Sequence, residues 1–301
     1  YKVYCSKETH SSIEKAVKII GLGSKNLYKI DTDNNLAMDL KKLENQINKD
    51  IESNNIPLAI ISTYGTTGTV AFDSINDIAL IAKKYNIWHH IDAAYAGSAL
   101  FLDEYKKDIK NIKYADSFVF NPHKWMLTNF DCSLYYVKDE EKLIKTLEIH
   151  PEYLKSTSKN IKNYKDWSIQ LGRRFRALKL WFVIRSYGVD GIKKYLRNHI
   201  NLAKYLKKII TDDKDFELTT NQNMNMINFR FNPKNSKNNN EINKLNIKLI
   251  EELNKSGKIY LSHTMINDIY SIRMPIGSTS VNIENIKSSW KIIKKTSQDI
   301  I

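Results

Sequence analysis

The first half of the sequence alternates continuous apolar runs with segments of helical spacing, and this alternation most limits what the chain can fold into. Four apolar runs predict strands: residues 58–63, 87–91, 117–120 and 134–137. Residues 74–85 repeat apolar side chains at helical spacing, and Asp73 is placed to cap that predicted helix. Apolar strands separated by helices indicate an α/β fold with a parallel or mostly parallel sheet covered on both faces.

The second half predicts a smaller unit. Residues 175–187 are strongly apolar, as in a helix buried in the core, and Gly188 is expected to end that helix. Further elements are predicted as helices at 191–210, at 241–255 and from 283, and as strands at 216–219, 226–231, 258–262 and 269–274. We therefore expect a large domain over residues 1–190 and a smaller α+β domain over residues 191–301.

Charge and cysteine content narrow the class of protein. The formal charge of the 301 residues is +14, but 40 of the 47 basic residues are Lys. Proteins that bind phosphate backbones usually do so through the bidentate guanidinium groups of Arg. The excess of positive charge, which is mostly Lys, therefore indicates a solvated surface and not a nucleic-acid or membrane partner. Two cysteines cannot build a disulfide framework, which predicts a reducing, cytoplasmic setting. No apolar stretch approaches the roughly 20 residues of a membrane span.

Reactive side chains follow three of the predicted strands. Thr66 and Thr67 come after the first strand, Asp92 ends the second, and His123 and Lys124 follow the third. In open α/β sheets, ligands bind in the crevice outside the carboxyl ends of the strands. The sequence therefore predicts a site at this edge of the sheet.

Two of these residues suggest a particular chemistry. Lys124 precedes apolar Trp125, so partial desolvation would favour a neutral amine that can form a Schiff base; the alternative is an ordinary surface lysine. Asp92 ends a buried strand, where a carboxylate needs a cationic partner such as a protonated pyridine nitrogen. Small Ala93 and Ala94 would let a flat ring approach. Helix capping and metal binding are the alternatives for Asp92.

Histidines offer two further candidates. The adjacent pair His89 and His90 could suggest a metal, but neighbouring side chains on a strand point to opposite faces, which disfavours it. His10 comes directly before a segment that Ser11 or Ser12 can cap as a helix. It is therefore expected at the mouth of that helix, with an ordinary surface histidine as the alternative.

Six motifs carry a family resemblance. They are THSSIEKA (9–16), YGTTGT (64–69), HIDAAYAGSA (90–99), ADSFVFNPHKW (115–125), NFDCS (129–133) and LGRRFRALKLWFVIRSYGVDG (171–191). Together they make the chain resemble the group II pyridoxal-phosphate-dependent amino-acid decarboxylases, and among them the aromatic-L-amino-acid decarboxylases. The resemblance implies a PLP-dependent transferase large domain of fold type I, aspartate aminotransferase-like, and a homodimer.

The resemblance also implies roles around the cofactor, pyridoxal 5′-phosphate. Lys124 would hold it as an internal aldimine, and Asp92 would pair with its ring nitrogen. His10 would stack on one face of the ring, while Ala94 would pack against the other. His10 is also a candidate proton donor.

The remaining implied roles concern the substrate and the phosphate. Thr67, with Thr66 beside it, would contact the phenolic oxygen of the cofactor or the substrate carboxylate. Asn121 and His123 would contribute to the phosphate site. Tyr153 lies in a long predicted loop and matches the family's mobile-loop tyrosine, which donates a proton to the carbanionic carbon.

The implied reaction is decarboxylation of an L-amino acid to the amine and CO2, through the Lys124 aldimine and a quinonoid intermediate. Tyr153 and His10 are both present, which favours this reaction over aldehyde synthesis, and Gly172 favours an aromatic substrate. An aromatic aldehyde synthase and a glutamate, cysteine sulfinate or histidine decarboxylase remain alternatives. Family members carry a segment before the position of Tyr1, with a Ser-rich phosphate turn, so an inactive fragment is a further alternative.

Overall fold

A computed structural model of the chain describes residues 1–149, 164–221, 224–233 and 238–301. The strands are β1 (Lys2–Ser6), β2 (Leu27–Ile30), β3 (Pro57–Thr63), β4 (Trp88–Asp92), β5 (Ser117–Phe120), β6 (Leu134–Val137), β7 (Phe216–Leu218), β8 (Met226–Phe231), β9 (Ser262–Ile266) and β10 (Ile269–Pro275). The α-helices are α1 (Ser12–Ile19), α2 (Leu40–Glu52), α3 (Ile75–Tyr85), α4 (Lys106–Ile112), α5 (Pro122–Trp125), α6 (Glu140–Leu147), α7 (Arg176–Thr211), α8 (Asn239–Lys255) and α9 (Ile283–Asp299).

The larger sheet has the order β2-β1-β3-β4-β5-β6. Its first five strands are parallel, and β6 pairs antiparallel with β5. Alternate residues of the central strands enter different cores: Tyr4 and Ile60 pack with α2 and α3, whereas Val3 and Ile61 pack with α1. Because both faces are covered, these strands are apolar at successive positions. The predicted mostly parallel sheet is confirmed.

The smaller sheet has the order β7-β8-β10-β9 and is antiparallel throughout. Phe229, Ile272 and Trp290 lie in its core, where the sheet meets the second half of α7 together with α8 and α9. The predicted second α+β unit is therefore present. The boundary predicted between residues 190 and 191 stays a prediction, since it falls inside α7. No helix in the described ranges has the length and apolar character needed to cross a bilayer.

The helical geometry of α7 is interrupted once, at Gly188, whose φ of 65° and ψ of 168° lie outside the helical region. The predicted break is thus in place. The first half of α7 was predicted to be buried, and that prediction is wrong. Phe175 is 75% exposed, and Trp181 and Phe182 are each 54% exposed. Leu180 and its neighbours on the inner face pack against the core, and the outer face carries large apolar side chains into solvent.

The predicted strand at residues 258–262 is also wrong, because β9 begins only at Ser262. The side-chain amide of Asn254 donates to the carbonyl oxygen of Leu261 and accepts from its N–H, at 2.9 and 2.8 Å. The Asn254 side chain therefore pairs with the N–H and C=O groups of Leu261, which a neighbouring strand would otherwise have bound. Strands β1 and β2 and helix α2 were not predicted.

Asp73 is not the cap of α3; Ser74 occupies that position. Asp73 is buried, and its two carboxylate oxygens accept hydrogen bonds from the backbone N–H groups of Met38 and Thr63, both at 2.7 Å. The residue therefore ties the end of β3 to the loop before α2. A capping pattern in the sequence could not distinguish this longer-range role.

The Asp73 carboxyl gives a pH-dependent prediction. Burial raises its pKa from 3.8 to about 6, and its hydrogen bonds to backbone N–H groups offset only part of that rise. The folded chain therefore holds this proton more tightly than the unfolded chain, so the stabilisation is complete below about pH 4 and is lost as the pH rises through about 6. Between about pH 4 and about pH 7, the unfolding free energy of the wild type should fall by roughly 2 kcal/mol more than that of Asp73→Asn. Urea unfolding across this range measures the difference, and equal pH slopes would contradict the prediction.

Candidate functional site

A cavity of about 280 Å³ lies at the carboxyl edge of β1, β3, β4 and β5. Its walls are His10, Ser12, Ile13, Thr63, Gly65, Thr67, His90, Asp92, Ala94, Tyr95, Val119, Asn121, Lys124 and Ser133. The order β2-β1-β3 places this edge where the chain crosses from one side of β1 to the other, which is where ligands bind in open α/β sheets. The site predicted from the strand ends is therefore a real cavity.

Backbone hydrogen bonds hold the strand ends around the cavity. The N–H of Tyr64 donates to the carbonyl oxygen of Asp92 at 2.8 Å, which joins the end of β3 to that of β4. The N–H of Asn121 donates to Ala94 at 3.0 Å, and the N–H of Lys124 donates to Asn121 at 2.9 Å. The segments that follow β3, β4 and β5 are thus coupled through the main chain.

Asp92 and Lys124 line the same cavity but differ in environment. The Asp92 side chain is 8% exposed, and its Oδ1 accepts a 3.0 Å hydrogen bond from the Ala94 N–H. Within the described part of the chain, no Lys or Arg forms an ion pair with it. Lys124 is exposed, so the desolvation expected from its apolar neighbours is not found. The cavity thus pairs a buried carboxylate with an accessible amine.

His10 lies directly before α1, as predicted, and lines the cavity. The Ser12 N–H donates to its Nδ1 at 3.1 Å. The histidine ring itself therefore accepts from the first turn of the helix, whereas the side chain of Ser11, the N-cap residue, accepts no capping bond. Because Nδ1 is an acceptor, the neutral ring carries its proton on Nε2.

The other predicted residues divide into two groups. Thr67 and Asn121 line the cavity, whereas Thr66 and His123 do not. Thr66 is buried and accepts from the backbone N–H of Ala71 at 3.0 Å, so its hydroxyl supports the turn after β3. His123 contacts the backbone of the segment before β6 through its Nδ1. Tyr153 lies outside the described residues, and its role stays a prediction.

His90 and Ser133 are two of the cavity residues that were not predicted as part of the site. Burial lowers the pKa of His90, and the charge of Asp92 offsets part of that change. His90 and Asp92 are two positions apart on β4, and side chains two positions apart on a strand point to the same face. The sequence could therefore have identified His90 as a neighbour of Asp92. Ser133 donates to Asn121 Oδ1 at 2.7 Å, and only its place in the NFDCS motif pointed to it.

The neighbouring histidines of β4 have different partners, as expected for opposite faces of a strand. His89 is buried and pairs through Nε2 with the Ser62 hydroxyl, whereas His90 pairs through Nδ1 with Ser117; both distances are 2.8 Å. Among the residues that the structure describes, no three His, Cys, Asp or Glu side chains come together as a metal site.

Arg273 of β10 reaches the site from the smaller sheet. Its guanidinium donates to the carbonyl oxygens of Thr67 and Gly68 at 2.5 and 3.0 Å. Burial lowers the pKa of Arg273 from its ordinary value. An adjoining cavity of about 410 Å³ is lined by Arg273 together with His10 and Thr67. No local signal in the sequence indicated this contact, because it joins residues about 200 positions apart along the chain.

Comparisons with known proteins show the family of the chain. Residues 1–232 match the model of the pyridoxal-dependent decarboxylase conserved domain. The chain belongs to this family. Tyrosine decarboxylase 3 of Petroselinum crispum is 43% identical over 97% of the chain and 58% of its own length. A phenylacetaldehyde synthase of a Rosa hybrid cultivar is 38% identical over 99% of the chain and 61% of its own length.

A solved relative extends the similarity to the fold. The crystal structure of Oryza sativa TDC with PLP and tryptamine superposes with a TM-score of 0.96 at 32% identity. The match covers 99% of this chain and 63% of that one. The chain therefore spans about three fifths of the length of the curated relatives it matches.

The cavity residues fit pyridoxal 5′-phosphate, the cofactor of the pyridoxal-dependent decarboxylase family. Burying a carboxylate without a cationic partner costs free energy, and a protonated ring nitrogen would be such a partner for Asp92. Lys124 supplies an accessible amine in the same cavity, and Ala94 leaves room beside it for a flat ring. The donor set is therefore that of a cofactor with a cationic ring and a carbonyl carbon.

Close packing behind the cavity gives a second prediction. A Cβ added at Gly97 would lie 2.4 Å from the Cβ of Phe120, the last residue of β5, whereas one at Gly172 would meet no atom within 4 Å. Gly97→Ala should therefore lower the unfolding free energy by roughly 1–3 kcal/mol and displace the end of β5 that carries Asn121. Gly172→Ala should leave stability nearly unchanged. Thermal unfolding of both variants measures the effect, and equal midpoints would refute the packing argument.

Proposed function

We propose that the protein catalyses the pyridoxal-phosphate-dependent decarboxylation of an aromatic L-amino acid of the Tyr, Trp, DOPA or Phe type to the amine and CO2. The observation that carries this proposal is the shared cavity of Asp92 and Lys124, a buried carboxylate at the end of β4 and an accessible amine in the turn after the neighbouring β5. The similarity to a tyrosine decarboxylase and to Oryza sativa TDC supports the aromatic class of substrate.

Several cavity residues have a proposed task in this reaction. When bound, pyridoxal phosphate supplies an electron sink for the pair released from the bond between Cα and the carboxylate. Asp92 would hold a proton on the ring nitrogen of the cofactor, and the burial of its carboxylate would strengthen that interaction. The exposed amine of Lys124 would be the group that holds the cofactor covalently, and it is accessible from solvent. Asn121 and Thr67 offer polar groups at the cavity wall.

Proton return to Cα needs a donor at the cavity wall. His10 lines the cavity, and its Nε2 carries the proton when the ring is neutral, because Nδ1 accepts from Ser12. We propose His10 as a donor beside Tyr153, which lies outside the described residues. The contacts of Thr66 and His123 with the cofactor or substrate stay predictions, because neither residue is among those that line the cavity. We propose that both support the cavity wall, Thr66 through the turn after β3 and His123 through the segment before β6.

Product analysis tests the proposal. The purified chain, supplied with pyridoxal phosphate, is given Tyr, Trp, Phe, DOPA, His and Glu in separate assays. We expect amine and CO2 in equal amounts from one or more aromatic substrates. Aldehyde, ammonia and peroxide would instead assign the chain to the aldehyde-forming relatives, represented by the phenylacetaldehyde synthase. Release of CO2 from Glu or His alone would overturn the aromatic assignment, and failure to bind pyridoxal phosphate would overturn the whole proposal.

We further propose that the chain forms a homodimer through the outer face of α7. Exposed apolar patches of this kind mark interaction surfaces, and Trp181 and Phe182 are each 54% exposed there. Sedimentation at several concentrations should give a dimer that Trp181→Glu converts to a monomer. Leu80→Glu is the matched control, since Leu80 is 58% exposed on a different helix. A wild type that stays monomeric at all concentrations would refute the proposal.

A cytoplasmic location is the last part of the proposal. Cys5 and Cys132 are both buried free thiols, which supports a reducing compartment. Fractionation of cells should therefore recover the protein with cytoplasmic markers, and recovery with a secreted or organellar fraction would contradict it.

A further inference from the structure

A series of side-chain contacts connects the helical turn that carries Lys124 to the smaller sheet. Trp125, the next residue, is 2% exposed, and its Nε1–H donates to Nδ1 of His199 at 3.0 Å. His199 is 1% exposed, and its Nε2 makes a 3.0 Å hydrogen bond to the carbonyl oxygen of Ser278. An indole N–H only donates and a carbonyl only accepts, so His199 must be neutral with its proton on Nε2. Burial lowers the pKa of His199, which favours that neutral form.

A second series of contacts runs parallel to the first. The ring of Tyr95, which lines the cavity, stacks on Trp125 with centroids 5.5 Å apart and planes 6° from parallel. Asn225 Nδ2 donates to the Tyr95 hydroxyl at 2.7 Å and to the carbonyl oxygen of Ile276 at 2.8 Å. Both aromatic rings are therefore linked to the segment of residues 276–278 that follows β10.

The same segment is held at all three of its carbonyl groups. Asn225 donates to the first, the hydroxyl of Tyr195 donates to that of Gly277 at 3.2 Å, and His199 donates to the third. Tyr195 also contacts His199 edge to face, with ring centroids 4.2 Å apart. Segment 276–278 therefore acts as a fixed anchor for the two rings beside Lys124.

We propose that Trp125 and His199 are positioning residues that set the place of the Lys124 amine by tying its turn to segment 276–278. The proposal rests on the proposed function, in which Lys124 bonds to pyridoxal phosphate. Helix α5 has only four residues, so it is too short to fix the direction of Lys124 by itself. The side chain of Trp125 is buried whereas that of Lys124 is exposed, so Trp125 can anchor the turn to the rest of the structure in a way that Lys124 cannot.

Substitutions at the two positions test the inference without relying on activity. Trp125→Phe removes the N–H donor and keeps an aromatic ring against Tyr95. We expect its Kd for pyridoxal phosphate to rise about tenfold, as for loss of a buried hydrogen bond that leaves its partner unpaired. Trp290→Phe makes the same change in the core of the smaller sheet, away from the cavity, and should leave the Kd unchanged even where the melting temperature falls. Absorbance titration and thermal unfolding give the two quantities.

Two further measurements separate positioning from general loss of structure. Borohydride reduction with pyridoxal phosphate, followed by peptide mapping, reports the share of label at Lys124 among all lysines. That share should fall in Trp125→Phe and His199→Phe and recover partly in His199→Asn, whose oxygen can accept from Trp125. The double variant of Trp125→Phe and His199→Phe should have a Kd for pyridoxal phosphate no higher than that of the single variant with the higher Kd. The reason is that both substitutions break the same series of contacts.

The outcomes are distinguishable. If the wild type does not bind pyridoxal phosphate, the proposed function itself fails. If the wild type binds while Trp125→Phe and Trp290→Phe have the same Kd and the same label at Lys124, the positioning inference is overturned. Additive effects in the double variant would overturn it as well. If Trp125→Phe does not fold, the Kd and the label at Lys124 are compared between His199→Phe and His199→Asn instead.

Discussion

Lys124→Ala should abolish both the absorbance band above about 400 nm that pyridoxal phosphate gives with the wild type and the release of CO2. The amine is the only group at the cavity wall that can bond covalently to the cofactor carbonyl among the described lining residues. Because a nucleophile and the groups around it act as a unit, we expect the rate to fall by a factor on the order of 10⁴ or more. Spectrophotometric titration and trapping of CO2 measure the two effects.

A matched control is Lys138→Ala. Lys138 is also exposed but follows β6, and since β6 is antiparallel to β5 it lies at the opposite edge of the sheet. Its variant should keep the band and the activity of the wild type. Persistence of the band in Lys124→Ala would show that another lysine holds the cofactor, and the assignment of Lys124 would then be wrong.

Asp92→Asn should separate activity from stability. A neutral amide cannot hold a proton on the ring nitrogen, so we expect the decarboxylation rate to fall by roughly 10²–10⁴-fold while pyridoxal phosphate still bonds to Lys124. The free energy of unfolding should stay the same or rise, because the change removes a buried charge and the amide oxygen can still accept from Ala94. Steady-state kinetics and urea unfolding of the same preparation measure both.

Asp50→Asn provides the opposite pattern as a control. Asp50 is as buried as Asp92, but it lies away from the cavity and accepts from the Tyr4 hydroxyl at 2.9 Å. Its Oδ2 also accepts from the Gln46 amide and its Oδ1 from the Asn55 amide, so an Asn at position 50 must turn its NH2 group toward a donor. The Asp50→Asn variant should therefore lose stability and keep its activity per folded molecule. An Asp92→Asn variant that loses stability and retains its rate would refute the role of the carboxylate in holding a cationic ring.

Local patterns in the sequence were sufficient to predict much of the larger sheet. Strand β5 was predicted with its bounds, and β3 and β4 within one residue, because buried parallel strands are apolar at successive positions and end at polar residues. The same patterns placed Asp92 and Lys124 at one edge, which the cavity confirms. Short strands such as β2, with two exposed residues of four, have no comparable apolar signal and were missed.

Other features depend on partners distant in the chain. Asp73 stands where a helix cap is expected in the sequence. Its two carboxylate oxygens instead accept hydrogen bonds from the N–H groups of Met38 and Thr63, and no local rule can specify these partners. The apolar first half of α7 was assigned to the core because apolar composition alone does not say whether a face is covered. Arg273 reaches Thr67 only because β10 of the second sheet packs beside the turn after β3.

The sequence alone determined the chemical identity of the site: an amine at position 124, a carboxylate at position 92 and small residues beside it, at the ends of buried strands. These depend on short-range rules of pleat, burial and strand order. Only the tertiary structure decided that Ser133 shares the cavity and that Trp125 is tied through His199 to segment 276–278. Contacts between distant segments are set by the free energy of packing the whole chain, which no window of the sequence contains.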